Sequence, residues 1–288
     1  MSAFSVKSYA KINLGLLITS KRSDGYHTLE TVFAPVDWFD TIEFAESDTL
    51  SMRCTDPALP VDEHNLCLKA ASAFRDSAGI SEGVLMTLDK RIPFGAGLGG
   101  GSSDAATVLR TLNTFWNVGA SVSDLHELAV KLGADVPYFL EMKGLAFARG
   151  IGDELEDLAL SLPFHVVTVF PEEHISTVLA YRHFYPRFGR IMPDLRRSVQ
   201  QLCLDGDRSV LGVFENDFEP AVFDHYPVVK QVKHMLLDAG SFHASLSGSG
   251  SAVFGFFDRQ EDALGAVGLM GGKRFRTSYT APGFSMQH

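Results

Sequence analysis

Five glycines and two serines crowd into the eleven residues Pro93-Phe94-Gly95-Ala96-Gly97-Leu98-Gly99-Gly100-Gly101-Ser102-Ser103, and no other stretch constrains the fold as strongly. A run of this kind cannot be the interior of a strand, where glycine loses conformational entropy and packs nothing. The segment before it, Gly83 to Leu88, reads as a strand, and Ala105, Val108, Leu109 and Leu112 after it recur at helical spacing. The chain must therefore pass from strand to helix through backbone conformations that glycine adopts most readily. Close-packed small residues expose successive N–H groups, and the helix N-terminus behind them is electropositive. Such a loop is suited to anionic oxygen, with Ser102 and Ser103 adding hydroxyl donors.

Known anion-binding patterns narrow the reading. Gly95, Gly97 and Gly100 satisfy the spacing GxGxxG, but a dinucleotide site also needs an acidic residue about 20 positions on, and Phe115 to Ala120 has none. No GK[ST] follows, and the HRD and DFG elements of protein kinases are missing. A second glycine-serine segment, Ser247-Gly248-Ser249-Gly250-Ser251, lies between two predicted strands and is either a hairpin turn or a second phosphate loop. With 25 basic and 35 acidic residues the net charge is −10, which argues against nucleic acid as the main partner. A phosphate ligand has to be attracted by local dipoles.

The remaining pattern is that of an α+β chain. Alternation at Ile12, Leu14, Leu16 and Ile18 predicts a strand, Lys21 to Gly25 a turn, and Thr28 to Val36 and Thr41 to Phe44 further strands. Asn65 is placed to cap a helix carrying Leu66, Ala70, Ala73 and Phe74, and Ser121 or Ser123 to cap another over Leu125 to Leu132 that ends at Gly133. After strands at Ala146 to Ala148 and His165 to Phe170, helices are expected between Ser176 and Gly240, then strands at Phe242 to Leu246 and Ala252 to Phe257. A division near residue 160 gives domains of residues 1–160 and 161–288. Three cysteines without CxxC spacing predict reduced thiols, and the scattered histidines identify no metal ligand. No apolar segment approaches the roughly 20 residues of a membrane span, and Met1 to Lys7 lacks a secretory signal, so a cytoplasmic location is expected. Two charged residues stand out by their surroundings: Lys11 interrupts an apolar strand, and Asp135 sits beside Val136, Pro137 and Tyr138. A buried ion pair or a catalytic role accounts for either.

The pattern Pro-x-x-x-Gly-Leu-Gly-Gly-Gly-Ser-Ser resembles the central motif of the GHMP kinases, named for galactokinase, homoserine kinase, mevalonate kinase and phosphomevalonate kinase. Ala10-Lys11-Ile12-Asn13-Leu14, Asp24-Gly25-Tyr26-His27, Gly133-Ala134-Asp135-Val136-Pro137 and Leu246-Ser247-Gly248-Ser249-Gly250 are similar to further motifs of that family, in its order. The resemblance implies a ribosomal protein S5-like N-terminal domain that binds ATP, a ferredoxin-like C-terminal domain on the substrate side, and an active site in the cleft between them. It implies ATP-dependent phosphorylation of the 2-hydroxyl of a diphosphocytidyl sugar alcohol in the non-mevalonate isoprenoid pathway, with Mg2+ accompanying ATP. It also implies roles. Pro93 to Ser103 cradle ATP, Asn65 lies near the adenine unless it is only a helix cap, and Asp135 is the base with Lys11 its charge partner. Asp135, Gly248 and Ser249 touch the substrate, whose cytosine lies between Tyr26 and Tyr181 with His27 at its edge; Phe184 and Tyr185 are the alternative stacking residues.

Overall fold

The computed structural model describes residues 3–141 and 143–287. Two long strands, β1 (Phe4–Lys21) and β2 (His27–Ser47), open the chain and are joined at the predicted Asp24-Gly25 turn, where Gly25 has φ +91°. The two strands expected at Thr28 to Val36 and Thr41 to Phe44 are a single one, because Val36, Trp38, Asp40 and Ile42 continue the buried alternation without a break. There follow β3 (Leu50–Cys54), α1 (Leu66–Ala78), β4 (Gly83–Asp89), α2 (Gly100–Phe115), α3 (Val122–Leu132) and α4 (Val136–Glu141). The chain continues with β5 (Ala146–Arg149), β6 (Glu154–Asp157), β7 (His165–Phe170), α5 (Thr177–His183), α6 (Leu195–Gln200), α7 (Glu219–His225) and α8 (Pro227–Asp238). It ends with β8 (His243–Leu246), β9 (Val253–Phe257), α9 (Gln260–Gly272) and β10 (Arg276–Thr280).

These elements form two compact units that interleave along the sequence. The first comprises Met1–Ala10, Phe39–Ile92 and Gly99–Met142. In it Thr41 to Ser47 of β2 run antiparallel to β4, and β4 runs parallel to β3. Period-2 burial of Ile42, Phe44, Val84, Met86 and Leu88 makes the apolar sheet surface, and Phe74, Val108, Leu109 and Leu112 supply the helical side. Burying each such side chain contributes roughly 1.5–3 kcal/mol. The Asn65 side chain caps α1 by accepting from the Cys67 amide at 2.9 Å, and Ser121, rather than Ser123, forms a capping box with Asp124 on α3.

The second unit comprises Lys11–Trp38, Pro93–Leu98 and Lys143–His288. Thr31 to Phe33 of β2 pair antiparallel with β5, and β5 with β6. A separate antiparallel sheet has the order β10-β7-β9-β8. Its core joins Val167, Val169, Val253 and Phe257 to Val229, Val232 and Leu236 of α8, and to Leu16 and Ile18 of β1. Leu16 and Ile18 of the β1 alternation thus enter this core, while Lys11 and Asn13 lie before Gly15, whose φ of +69° interrupts the regular strand backbone. Among the described residues no helix is long and apolar enough to cross a membrane, and the three cysteines are unpaired.

Candidate active site

The two glycine-serine segments, far apart in sequence, are bonded to one another within the second unit. The Ser247 hydroxyl donates to the Gly97 carbonyl at 2.9 Å, and the Ala252 amide donates to the Ala96 carbonyl at 3.0 Å. The approach is so close that a Cβ on Gly97, which has φ +75°, would lie 2.0 Å from the Ser247 carbonyl oxygen. Asn216 holds the second loop from behind, donating to the carbonyls of Leu246 and Gly248 at 2.9 Å each. On the near side, Gly95 accepts from the Ile175 amide at 3.0 Å, and the Phe94 and His174 rings stack with centroids 4.3 Å apart. The hairpin reading holds, since Ser247 to Ala252 joins the antiparallel strands β8 and β9, which pair Leu246 with Val253, and the same turn is bonded to the first loop.

Lys11 and Asn13 join the same assembly. The Lys11 amide donates to the Leu98 carbonyl at 3.0 Å, and the Asn13 amide to the Ser247 hydroxyl at 3.3 Å. The Lys11 ammonium donates to Asn13 Oδ1 at 2.5 Å and lies 4.8 Å from the Phe33 ring centroid. Asn13 Nδ2 in turn donates to Thr31 Oγ1 at 3.0 Å, so the cation's partner is itself fixed. At 4 % exposure Lys11 is buried, and hydrogen bonding together with the ring face offsets part of its desolvation.

In the first unit the glycine run becomes helix earlier than apolar periodicity predicts. Gly99, at φ +70°, caps α2 without a side chain, and its carbonyl accepts from the Ser103 amide at 2.9 Å, so the N–H groups of Gly100, Gly101 and Ser102 are the ones with no partner inside the helix and suit an anion. Ser103 is buried and accepts from the Ser8 hydroxyl at 2.8 Å, whereas Ser102 is half-buried. A Cβ on Gly133 would lie 4.0 Å from Ser102 Oγ, so the turn carrying the half-buried Asp135 runs beside the start of α2.

Behind that helix start lies a cluster the motifs do not include. The Lys90 ammonium donates to Asp40 Oδ2 at 2.5 Å and to Asp104 Oδ2 at 2.7 Å, with the side chains of Lys90, Asp40 and Asp104 only 3, 0 and 3 % exposed. Asp40 Oδ1 also accepts from the amides of Arg91 at 2.5 Å and Ile92 at 2.8 Å. Burial pushes the Asp40 carboxyl up to about 7, with Asp104 adding to the rise and Lys90 opposing it. Burial alone would lower the Lys90 ammonium, but the two carboxylates outweigh it and hold the group above its ordinary value.

The residues expected to hold the cytosine fall in the second unit. Ser176 caps α5, and Thr177 and Tyr181 share one face of it; Thr177 Oγ1 lies 3.1 Å from the Ser249 hydroxyl. His27, rather than Tyr26, occupies the face of Tyr181, with centroids 4.8 Å apart and planes 12° from parallel. Phe184 stands edge-on to His27 at 5.2 Å, while Tyr26 is 62 % exposed and Tyr185 is bonded to Asp224. Asn13, Thr31, Ser247 and Asn216 were not singled out as site residues in the sequence. The available signal was the pair of polar residues at positions 11 and 13 in a strand buried on both faces.

A split α+β frame with two apposed glycine nests matches known families over both parts of the chain. The model of the GHMP kinases N terminal domain matches residues 65–142, and that of the GHMP kinases C terminal domain matches residues 180–268. The chain belongs to the GHMP kinase family, and is an ATP-dependent small-molecule kinase acting on an alcohol group. It is 77% identical over 286 residues to 4-diphosphocytidyl-2-C-methyl-D-erythritol kinase of Chlorobium limicola, covering 99% of each chain. To the enzyme of that name from Chlorobium phaeobacteroides it is 71% identical, over 100% of this chain and 98% of the relative. A crystal structure of 4-(cytidine 5'-diphospho)-2C-methyl-D-erythritol kinase superposes with a TM-score of 0.81 at 35% identity, covering 96% and 98% of the two chains. Homoserine kinase from Cytophaga hutchinsonii, at 22% identity and a TM-score of 0.71, shares the fold.

Proposed function

We propose that this kinase transfers the γ-phosphoryl group of ATP to the 2-hydroxyl of 4-diphosphocytidyl-2-C-methyl-D-erythritol, a step of non-mevalonate isoprenoid precursor synthesis. The observation that carries the reading is the full-length 77% identity to a relative bearing that substrate's name, since glycine nests alone would serve any GHMP kinase. Phosphoryl transfer asks for positioned phosphates, offset charge and a base at the attacking hydroxyl. Pro93 to Ser103 cradle the phosphates, with Gly100, Gly101 and Ser102 of the first turn of α2 supplying N–H groups, and Asn65 lies towards the adenine. Asp135 takes the hydroxyl proton, and the Lys11 ammonium, held by Asn13, offsets the negative charge that develops. Gly248 and Ser249 face the substrate, and Tyr181 stacks on the cytosine once His27 leaves its face for the base edge, with Tyr26 on the other side.

Magnesium accompanying ATP would supply further neutralisation of the phosphate charge. A hydroxyl on this chain that would suit so hard a cation is that of the half-buried Ser102, at the start of α2. Asp62, Glu63 and His64 do form a cluster of metal-ligand type, but all three are exposed and His64 Nδ1 is bonded to Asp62 at 3.0 Å. A coupled ADP-release assay run against the diphosphocytidyl sugar alcohol, mevalonate and homoserine tests the reading. Turnover with the cytidine compound alone is the expected outcome, and preference for either other alcohol would overturn it.

A further inference from the structure

We propose that Lys90, Asp40 and Asp104 are positioning residues that set the affinity for ATP by tying the chain entering the first glycine loop to the helix turn leaving it. The inference rests on the functional reading above and assigns a task to charges that reading does not use. The pairing of Thr41 with Asp89 brings Asp40 beside the end of β4, where the chain turns away as Lys90, Arg91 and Ile92. One Asp40 oxygen fixes the amides of Arg91 and Ile92, the last residues before the loop, and the other holds the Lys90 ammonium. The same ammonium reaches Asp104, in the second turn of α2. Its Nζ also lies 3.0 Å from where a Cβ on Gly100 would sit, so the helix start rests on the cation.

Stability does not account for the arrangement. A buried ion cluster loses most of its Coulombic gain to desolvation, and well-packed apolar side chains of similar volume are often as stable. Asp104 Oδ1, moreover, is buried with no hydrogen-bond partner among the described residues, an unfavourable state for a carboxylate oxygen. What the cluster does provide is geometry. Three side chains from β2, the end of β4 and α2 meet at one nitrogen, and N–H groups aimed at a polyphosphate lose affinity when their spacing relaxes.

The test is calorimetric titration of the full chain with Mg-ATP and, separately, with the cytidine substrate, alongside thermal melting. The proteins are wild type, Lys90→Met, Asp40→Asn and the double variant Lys90→Met/Asp104→Asn. Each folded variant is expected to bind Mg-ATP at least about tenfold more weakly, the loss of charge-assisted bonds, while the cytidine substrate stays within about twofold. The double variant strands one carboxylate instead of two. It is expected to melt above Lys90→Met while ATP affinity remains low, and it keeps the test open where the single variant does not fold. Folded variants that bind Mg-ATP like wild type would overturn the inference. So would an equal loss for both ligands, or ATP affinity that returns together with stability, since a merely structural role behaves in those ways. Wild type that binds no Mg-ATP would instead overturn the functional reading, and this inference with it.

Discussion

Replacing Gly97 with alanine is expected to separate the two glycine loops. At φ +75° an alanine carries about 1–2 kcal/mol of left-handed backbone strain. The new Cβ would start 2.0 Å from the Ser247 oxygen and 2.9 Å from its carbonyl carbon. Relief requires the backbone to move by about 1 Å or more, since non-bonded heavy atoms settle near 3.5 Å. Ser247 is not free to move, because its carbonyl accepts from the Gly250 amide at 2.9 Å and its hydroxyl bonds to the Gly97 carbonyl and the Asn13 amide. Losing one or two of those bonds adds about 1–3 kcal/mol, for a total of roughly 2–5 kcal/mol. Gly206→Ala is the control: Gly206 has φ +67° with nothing within 4 Å of the added Cβ, so only the backbone strain applies. Urea denaturation of both variants isolates the contact. Equal destabilisation would refute the apposition of the loops, and unchanged ATP affinity in a folded Gly97→Ala would refute their role in holding phosphate.

Three further outcomes are expected. Asp135→Asn should keep its melting temperature and ATP affinity while losing most turnover, because an amide cannot accept the hydroxyl proton; near wild-type turnover would remove Asp135 as the base. Tyr181→Ala should raise the dissociation constant of the cytidine substrate about fivefold to a hundredfold and spare ATP, the range for loss of one base stack. An unchanged constant would shift the role to Phe184. His243 is pulled down to about 4 by burial, with Lys233 adding to the effect. Its unfolded value is near 6.5, so between those limits the unfolded chain binds a proton that the folded chain does not, and stability falls on acidification by up to about 3 kcal/mol. His243→Gln should flatten that part of the urea-midpoint profile from pH 7 to 4, and a profile as steep as wild type would show that His243 is not the group responsible.

Local pattern made much of this architecture readable. The β1 alternation, the Asn65 cap and the first glycine loop each carry a signal within a few residues. The second loop was ambiguous because its meaning lies in a contact 150 residues away, between Ser247 and Gly97. The Lys90 cluster was overlooked for a related reason, since its members come from three elements. A signal existed nonetheless: Asp40 stands in phase with the buried Ile42 and Phe44, and Asp104 precedes the wholly buried Ala105 and Ala106. A charge in register with a core face asks for a partner, but sequence alone does not say which lysine supplies it. His27 was expected at a base edge, and the tight stack on Tyr181 depends on a turn meeting a helix about 150 positions later, which periodicity does not encode.

The interleaving of the two units has a consequence for the order in which this chain matures. The first unit is complete in sequence once residue 142 has been made, so its contacts are available while the remainder is still being synthesised. Lys11 to Trp38 belong to the other unit, and their partners are among the last residues to appear: the Asn13 amide waits for Ser247, and the Asp37 amide for Thr280. During that interval Leu16 and Ile18 have no core to enter. Pairing over such sequence separations is slow, and an apolar strand left exposed meanwhile is prone to aggregate. Lys11 and Asn13 are thus translated early and reach their place in the proposed phosphate-binding assembly only after β8 and the second loop are made, so a chain truncated before residue 247 would retain the first glycine run but lack the Ser247 bonds to Gly97 and Asn13.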